Sequence, residues 1–312
     1  MEKRILILTG PTCVGKTGLS LLIAEYLDTE IISADSMQIY RGMDIGTAKP
    51  SHDERRRVKH HMIDIVEPSE RYSAGRYIDD VMPIIRSLHG RGVIPLVVGG
   101  TGLYIRAMTR GIFDAPQSDP ELRAYLRELE EASPGILYGK LQELDPEKAS
   151  LIKPGDLRRI IRALEVILKT GSPMSVLERE FTKPLPYEFI KIGLTRQRRE
   201  LYRMIEERVD EMFRQGLVEE VKRLLERNPS ETPLQAIGYK EVIAYLRGEQ
   251  SLDETVHLVK RATKRYAKRQ FTWFRKEPGI QWVDITGLRD ERDIFEKVLK
   301  GTTLKELPIC PK

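Results

Sequence analysis

The chain has 312 residues, of which 40% are hydrophobic and 32% are charged, so its composition is that of a folded globular protein and excludes a disordered one. The 52 Lys and Arg residues outnumber the 47 Asp and Glu residues, which gives a formal net charge of +5. No apolar run reaches about 18 residues, so the sequence predicts no membrane span. Because the only cysteines are Cys13 and Cys310, we expect no disulfide framework and a cytoplasmic location.

Apolar runs and amphipathic segments alternate in the first third of the chain. The predicted strands cover residues 5–8, 30–34, 60–65 and 93–98, and the predicted helices cover residues 16–27 and 73–88. Alternation of this kind is typical of a parallel sheet that is covered by helices on both faces. The sequence therefore predicts an α/β core.

The middle of the chain has a different character. Prolines separate short helical stretches such as 121–131 and 156–169, and no strand-like run appears before residues 189–194. We interpret residues 115–185 as a helical insertion domain, placed within a core that residues 1–114 and 186–312 form. The C-terminal part of the core is predicted to be helical at 198–227 with an interruption at Gly216, at 234–246 and at 252–274.

A glycine-rich motif follows the first predicted strand and opens the first predicted helix. It is Gly10-Pro11-Thr12-Cys13-Val14-Gly15-Lys16-Thr17, which matches the pattern G-x-x-x-x-G-K-[ST]. In such a loop the backbone N–H groups and the helix N-terminus attract a polyphosphate, and the lysine adds a charge for the outer phosphates. The Thr17 hydroxyl is suited to bind Mg²⁺. The motif does not decide between a nucleoside triphosphate and a diphosphate ester.

A kinase with this loop needs a second carboxylate at the end of a strand to hold its metal ion. The strand at 93–98 ends in Gly99-Gly100-Thr101 and offers none. Asp35, after the second strand, and Asp64 could each take that role, so a small-molecule kinase stays open on these residues.

The segment after the second strand, Ser33-Ala34-Asp35-Ser36-Met37-Gln38-Ile39-Tyr40, places a carboxylate, a hydroxyl and a carboxamide where ligands bind in open α/β sheets. The ordinary interpretation is a helix cap or a turn. Positive charge is concentrated near the C-terminal end of the chain, in the stretch from Thr255 to Lys276, which contains several Lys and Arg residues and no acidic residue. Its basic residues recur at four-residue spacing, which is suited to phosphate backbones but also to simple solvation.

Seven segments in a fixed order resemble the bacterial tRNA dimethylallyltransferases, also called tRNA isopentenyltransferases, over almost the whole chain. They are the phosphate loop, the segment from Asp35 to Tyr40 with Asp44-Ile45-Gly46-Thr47-Ala48-Lys49-Pro50, His60-His61-Met62-Ile63-Asp64, Gly99-Gly100-Thr101-Gly102-Leu103-Tyr104, Arg162-Ala163-Leu164-Glu165-Val166, Ala236-Ile237-Gly238-Tyr239-Lys240-Glu241 and Tyr266-Ala267-Lys268-Arg269-Gln270. The resemblance implies a P-loop NTPase-like parallel sheet that is flanked by helices.

The resemblance also implies the reaction. A dimethylallyl group passes from dimethylallyl diphosphate to the exocyclic N6 amine of the adenosine just 3′ of the tRNA anticodon, and diphosphate is released. The phosphate loop would then hold a leaving group, with Mg²⁺ at Thr17, and ATP need not be a substrate. Asp35 is expected to accept the amine proton, and Thr101 to contact the diphosphate or orient the reacting groups.

The resemblance further implies a set of tRNA contacts, with the insertion placed at the anticodon stem. They are Asp35, Ser36, Met37, Gln38, Thr101, Arg123, Arg158, Arg159, Ile160, Ile161, Arg162, Gly238, Tyr239, Lys240, Lys264 and Lys268. Gln38 could read an adenine edge through its paired donor and acceptor.

Three alternatives to a tRNA prenyltransferase remain on the residues. A prenyltransferase for free adenine nucleotides should not need the insertion or the basic C-terminal helix. A kinase leaves the segments around Asp35 and Thr101 unexplained, and a pure RNA-binding module would have a vestigial phosphate loop. We expect a monomer that binds tRNA and dimethylallyl diphosphate and has no membrane partner.

Overall fold

The computed structural model describes residues 3–113 and 115–308 of the chain. Its strands are β1 (Arg4–Thr9), β2 (Ile31–Ser33), β3 (His60–His61), β4 (Leu96–Gly99), β5 (Glu188–Thr195) and β6 (Ile280–Asp284). They form one parallel sheet in the order β3-β2-β4-β1-β5-β6. Residues 5–8 of β1 have no exposed surface, so the central strand is covered on both faces, and the predicted parallel α/β core is confirmed.

The helices of the described residues begin and end as follows: α1 Lys16–Tyr26, α2 His52–Arg57, α3 Ala74–Gly90, α4 Gly102–Arg110, α5 Pro120–Ala132, α6 Ile136–Leu144, α7 Pro146–Leu151, α8 Leu157–Thr170, α9 Met174–Phe181, α10 Arg198–Arg214, α11 Leu217–Leu225, α12 Glu231–Leu234, α13 Tyr239–Leu246, α14 Leu252–Phe274 and α15 Glu291–Gly301. A 3₁₀ turn follows at Thr303–Glu306. No helix in the described ranges is long and apolar enough to cross a membrane.

The chain divides into two compact units. One contains Met1–Ile105 and Pro186–Lys312 and carries the sheet, and the other contains Arg106–Leu185. The second unit has an apolar core of its own, to which Leu126, Leu137, Leu141 and Leu164 contribute fully buried side chains. The helical unit therefore begins before residue 115, where the sequence places the start of the insertion, because the chain enters it within α4.

Most differences from the predicted elements have a local cause. The third strand is two residues long rather than six, because Met62 and Asp64 adopt left-handed backbone conformations that an extended strand cannot contain. The predicted break at Gly216 is confirmed, since this residue has a φ of 98° and separates α10 from α11. The edge strand β6 and helix α15 were not predicted from the sequence.

Candidate active site

Three loops meet at the carboxyl edge of the sheet. The phosphate loop follows β1, the segment from Asp35 to Gln38 follows β2, and the turn with Gly100 and Thr101 follows β4. Because β2, β4 and β1 are neighbours in that order, these loops are adjacent at the edge where ligands bind in open α/β folds. The sheet order thus brings together three segments that lie far apart in the sequence.

The phosphate loop has a conformation that depends on its first glycine. Gly10 has a φ of 145°, and a Cβ atom there would lie 2.7 Å from the carbonyl oxygen of Leu194. On the other side, the buried Arg196 donates from Nε to the carbonyl oxygen of Val14 at 3.0 Å. Strand β5 and the residue that follows it, Arg196, therefore pack against the phosphate loop and support it. The side chains of Pro11, Cys13 and Val14 are buried, so these residues can contribute only backbone groups to a ligand.

Lys16 lies at the first turn of α1 and points its ammonium group back across the loop. Its Nζ donates to the carbonyl oxygens of Gly10 at 3.0 Å and Pro11 at 2.8 Å. Burial, and secondarily the nearby guanidinium of Arg208, lowers the pKa of Lys16 to about 8. An arriving phosphate would reverse this effect, because an anion favours the charged lysine. No sequence motif marks Arg208. Because its charge is close enough to influence Lys16, Arg208 is a candidate second cation for this site.

Asp35 sits directly after β2, and its carboxylate folds back onto the following turn. Oδ1 accepts the N–H groups of Met37 at 2.8 Å and Gln38 at 3.3 Å. Burial raises the pKa of the Asp35 carboxyl, and these two hydrogen bonds and the charge of Lys16 oppose that rise. A carboxylate with a raised proton affinity, held beside a cationic phosphate loop, has the properties of a general base.

Thr101 connects the β2 and β4 loops. Its backbone N–H donates to the carbonyl oxygen of Ala34 at 3.1 Å, and its Oγ1 accepts the N–H of Ser36 at 3.0 Å. The Thr101 hydroxyl in turn donates to the hydroxyl oxygen of Ser36 at 3.4 Å. Thr101 is therefore tied to the residue that follows Asp35, which fixes the two predicted catalytic residues relative to each other.

Gln38 has both ends of its amide engaged within the protein. Its Oε1 accepts the Ser33 hydroxyl at 3.1 Å, and its Nε2 lies 3.3 Å from the carbonyl oxygens of Thr47 and Ala48. In this arrangement the side chain orders the loop at residues 44–49. To read an adenine edge, as the sequence suggests, Gln38 would have to exchange those partners.

A buried carboxylate on α11 orders the same loop, and the sequence analysis missed it. Glu220 is 3% exposed and accepts the N–H groups of Asp44, Ile45 and Gly46 at 2.9, 2.7 and 3.0 Å. It also accepts the hydroxyl of Tyr239 at 2.6 Å. The position of Glu220 within the apolar face of α11 was the available signal, because a glutamate there must find partners inside the protein.

Tyr239 is a predicted tRNA contact whose side chain lies inside the protein. Tyr239 has no exposed surface, and burial next to Glu220 raises the pKa of its hydroxyl. It acts on the site only through the loop that Glu220 holds. Its neighbour Gly238 is buried at the start of α13, while Lys240 is exposed and 3.6 Å from Glu241.

The two predicted tRNA-binding lysines of α14 have different environments. Lys264 is ion-paired with Glu206 and lies 5.5 Å from the centre of the Tyr202 ring. Lys268 is exposed and lines an open groove of about 540 Å³. The groove is lined by Arg265, Lys268, Arg269, Thr272, Trp273 and Lys276. Four of these six lining residues are Lys or Arg, so the groove is cationic.

In the helical unit, two of the predicted tRNA-binding arginines form ion pairs with a buried carboxylate. Glu165 has no exposed surface and accepts Arg123 at 2.9 and 2.8 Å, and it is also bonded to Arg162. These arginines first satisfy Glu165, which would otherwise be a costly buried charge. Arg158 and Arg159 on the same helix are exposed.

Two further predicted tRNA contacts, Ile160 and Ile161, have side chains inside the helical unit. They are 1% and 5% exposed and belong to the apolar core of the helical unit. The periodicity of α8 explains this position, because these residues lie on the face opposite the exposed arginines.

Asp64, one of the two carboxylates that a kinase could use, is already neutralised by protein cations. Lys49, itself buried, is ion-paired with Asp64, and Arg55 donates to its other oxygen at 2.7 Å. Hydrogen bonds from these cations lower the pKa of the Asp64 carboxyl despite its partial burial. Asp64 is therefore a structural carboxylate, and Asp35 is the acidic side chain that the site loops supply.

A magnesium ion at the phosphate loop would have to be held mainly by oxygens of the substrate. No group of three or more His, Cys, Asp or Glu side chains within residues 3–113 and 115–308 could hold a metal ion by itself. Mg²⁺ commonly binds through one or two protein ligands, phosphate oxygens and waters. Thr17, at the N-terminus of α1, is the residue that could provide the protein ligand.

Comparison with known protein families gives two matches that together cover most of the chain. The model described as IPP transferase matches residues 38–277, and the one described as isopentenyl transferase matches residues 3–67. The second match contains the phosphate loop and the Asp35 segment, and the first contains Thr101 and α14.

Curated relatives match over nearly their full length. The tRNA dimethylallyltransferase of Thermodesulfovibrio yellowstonii is 55% identical over 96% of this chain and 97% of its own. The tRNA dimethylallyltransferase of Thermotoga maritima is 49% identical over 95% and 97%.

Solved structures agree with the curated relatives. The tRNA isopentenylpyrophosphate transferase of Bacillus halodurans is 41% identical, covers 98% of each chain and has a TM-score of 0.72. A eukaryotic dimethylallyltransferase described as acting on tRNA is 29% identical and covers 99% of this chain and 81% of its own, with a TM-score of 0.80.

Proposed function

Because this chain belongs to the IPP transferase family, we propose that it transfers a dimethylallyl group from dimethylallyl diphosphate to a tRNA adenosine and releases diphosphate. The acceptor is the exocyclic N6 amine of the adenosine just 3′ of the anticodon. One observation carries the proposal beyond family membership. Asp35, a half-buried carboxylate whose pKa is raised by burial, stands on one of the three loops that meet at the carboxyl edge of the sheet, together with the phosphate loop and its Lys16.

The phosphate loop acts on the leaving group. As the bond between the allylic carbon and the diphosphate oxygen breaks, negative charge grows on the diphosphate. Lys16 and the N-terminus of α1 lie at the phosphate loop, and the charge of Arg208 is near enough to influence Lys16, so these groups would stabilise the charge as it develops more than they stabilise the ground state. Mg²⁺ bound at Thr17 would add further positive charge there.

Asp35 acts on the nucleophile. The lone pair of an adenine N6 amine is delocalised into the ring, so the nitrogen attacks carbon well only if its proton is removed as the new bond forms. The raised pKa of Asp35 increases its affinity for that proton. The hydrogen bond between Thr101 and the Ser36 N–H keeps the turn after Asp35 in place. Thr101 also presents its hydroxyl at the end of β4, next to the loop that binds diphosphate.

Two exposed basic surfaces are suited to the tRNA. The first is the α14 groove with Lys268 and Arg269, and the second is the pair Arg158 and Arg159 on α8. Phosphate contacts of this kind position an RNA without reading its sequence. To react, the adenine must leave its stack in the anticodon loop and enter the site. We propose that the helical unit binds the anticodon stem and that the protein works as a monomer in the cytoplasm.

The test is incubation of the purified protein with unmodified tRNA, Mg²⁺ and dimethylallyl diphosphate, followed by mass analysis of the digested nucleosides. We expect one adenosine to gain a single five-carbon prenyl unit. Parallel reactions with free AMP and with ATP in place of the prenyl donor test the alternatives. Prenylation of AMP but not of tRNA would replace the proposal with a nucleotide prenyltransferase. Consumption of ATP with no prenyl transfer would replace it with a kinase.

A further inference from the structure

The side chain of Gln270 joins the phosphate loop to the turn that carries Thr101. Gln270 lies on α14, directly after the exposed Arg269. It is itself buried, with only 6% of its surface exposed. Its Oε1 accepts the backbone N–H of Thr12 at 2.8 Å, and its Nε2 donates to the carbonyl oxygen of Gly100 at 2.9 Å. Only a carboxamide offers an acceptor and a donor in this arrangement, so neither Glu nor Met could make both bonds.

The Gly100 position confirms that this contact is close. A Cβ atom on Gly100 would overlap the Nε2 atom of Gln270, so the turn has room for the amide only because residue 100 lacks a side chain. The glycine pair after β4 therefore has a role beyond the turn itself. It lets α14 reach the backbone at the edge of the sheet.

The bond to Thr12 changes what the phosphate loop can bind. In such loops the backbone N–H groups are the ligands of the phosphate oxygens. While Gln270 holds the Thr12 N–H, that donor is not available to an anion. The remaining N–H donors of the loop, together with Lys16, can then bind fewer phosphate oxygens than the whole loop could bind, which favours a shorter polyphosphate.

We propose that Gln270 is a positioning residue that makes the loop selective for a diphosphate over a triphosphate. The inference rests on the proposed function, since it concerns the same diphosphate site. Gln270 acts through Thr12 and Gly100 rather than on the reacting atoms. Its place in α14, beside the cationic groove, also gives the tRNA-binding helix a direct connection to the phosphate loop.

The test is direct titration of inorganic diphosphate and of tripolyphosphate, each with Mg²⁺, into the wild-type protein and its variants by calorimetry. The wild type should bind diphosphate more tightly than tripolyphosphate. Gln270→Met frees the Thr12 N–H, so the ratio of the two dissociation constants should shift at least about tenfold toward tripolyphosphate, the value of one hydrogen bond to a charged group. An unchanged ratio would overturn the inference.

A second variant separates selectivity from general damage. Gln270→Glu keeps an acceptor for the Thr12 N–H but loses the donor to Gly100 and adds a negative charge. It should weaken the binding of both anions, and of the more highly charged tripolyphosphate at least as much as of diphosphate, so the ratio should not shift toward tripolyphosphate. A shift in the ratio equal to that of Gln270→Met would contradict the role of the Thr12 bond. If Gln270→Met does not fold, Gln270→Ala takes its place, because it also frees the Thr12 N–H and should shift the ratio in the same direction.

A matched control is present in β6. Gln281 accepts the N–H of Thr303 at 2.9 Å and donates to the Thr303 hydroxyl at 2.8 Å, so it makes the same kind of paired bonds away from the site. Gln281→Met should leave the binding ratio unchanged. Prenylation of tRNA by the wild-type protein is measured separately. Its absence would refute the proposed function, whereas the anion-binding ratio alone decides the role of Gln270.

Discussion

Substitution of Asp35 by asparagine separates the two things that this residue does. The carboxylate orders its own turn, because Oδ1 accepts the N–H groups of Met37 and Gln38. It is also the proposed base. Asparagine retains an Oδ1 acceptor of the same shape and removes only the charge and the basicity. Alanine removes both functions.

The magnitudes follow from these contacts. Two backbone hydrogen bonds contribute about 2 kcal/mol together, so Asp35→Ala should lower the free energy of unfolding by roughly that amount and Asp35→Asn by much less. General base catalysis contributes about 10²–10⁴-fold in rate, which corresponds to a barrier of about 3–5 kcal/mol. Both variants should therefore lose at least about 10²-fold in kcat, although only one of them loses stability.

The assay is single-turnover prenylation of tRNA at saturating dimethylallyl diphosphate, with tRNA affinity and urea unfolding measured on the same preparations. We expect nearly unchanged tRNA affinity in Asp35→Asn. The wild-type rate should fall on acidification as Asp35 becomes protonated, at a pH above that for an ordinary aspartate because burial raises its pKa. A rate in Asp35→Asn within about tenfold of the wild type would refute the role of Asp35 as the base.

The pKa of Lys16, about 8, predicts that kcat/KM for dimethylallyl diphosphate falls about tenfold per pH unit above that value as the free enzyme loses this charge; a pH series should show no such fall in Lys16→Arg. Lys268→Ala should flatten the salt dependence of tRNA binding by about 0.7–0.9 in log–log slope. Lys264→Ala should flatten it by less, because Glu206 already pairs with Lys264. Equal slopes for the two variants in filter binding would contradict this difference. Glu220→Gln places an amide N–H against donors, so urea unfolding should show a loss of about 3 kcal/mol or more, while the exposed Glu219→Gln stays within about 0.5 kcal/mol.

The parts of the site that could be predicted are those with a local cause. A buried strand, a glycine-rich turn and a following helix are consecutive in the sequence, so the phosphate loop was evident from its spacing. Asp35 and Thr101 could be placed at strand ends for the same reason. Their adjacency depends on the order of β2, β4 and β1, which hydrophobic periodicity does not determine.

The supporting residues could not be predicted, because they act across long separations in the chain. Glu220 bonds Asp44 from 176 positions away, and Gln270 bonds Thr12 from 258 positions away. Neither has a spacing that marks it as a partner. The predicted roles of Arg123 and Arg162 show the opposite difficulty. The family resemblance indicated a tRNA contact for both, and it did not reveal that both also pair with a buried glutamate, Glu165.

The two candidate carboxylates explain how one phosphate loop can serve a different chemistry from that of a kinase. Phosphoryl transfer needs a carboxylate that is free to hold a metal ion at the outer phosphates. The carboxylate of Asp64 is ion-paired with Lys49 and Arg55. The pair with Lys49 orders the loop at residues 44–49. Asp35 is half-buried and accepts hydrogen bonds from the backbone alone, and burial raises its pKa more than these bonds and the charge of Lys16 lower it. In the proposed reaction the phosphate loop would stabilise the departing diphosphate and Asp35 would take the amine proton, and these are the two roles that transfer of an allylic group to an amine requires.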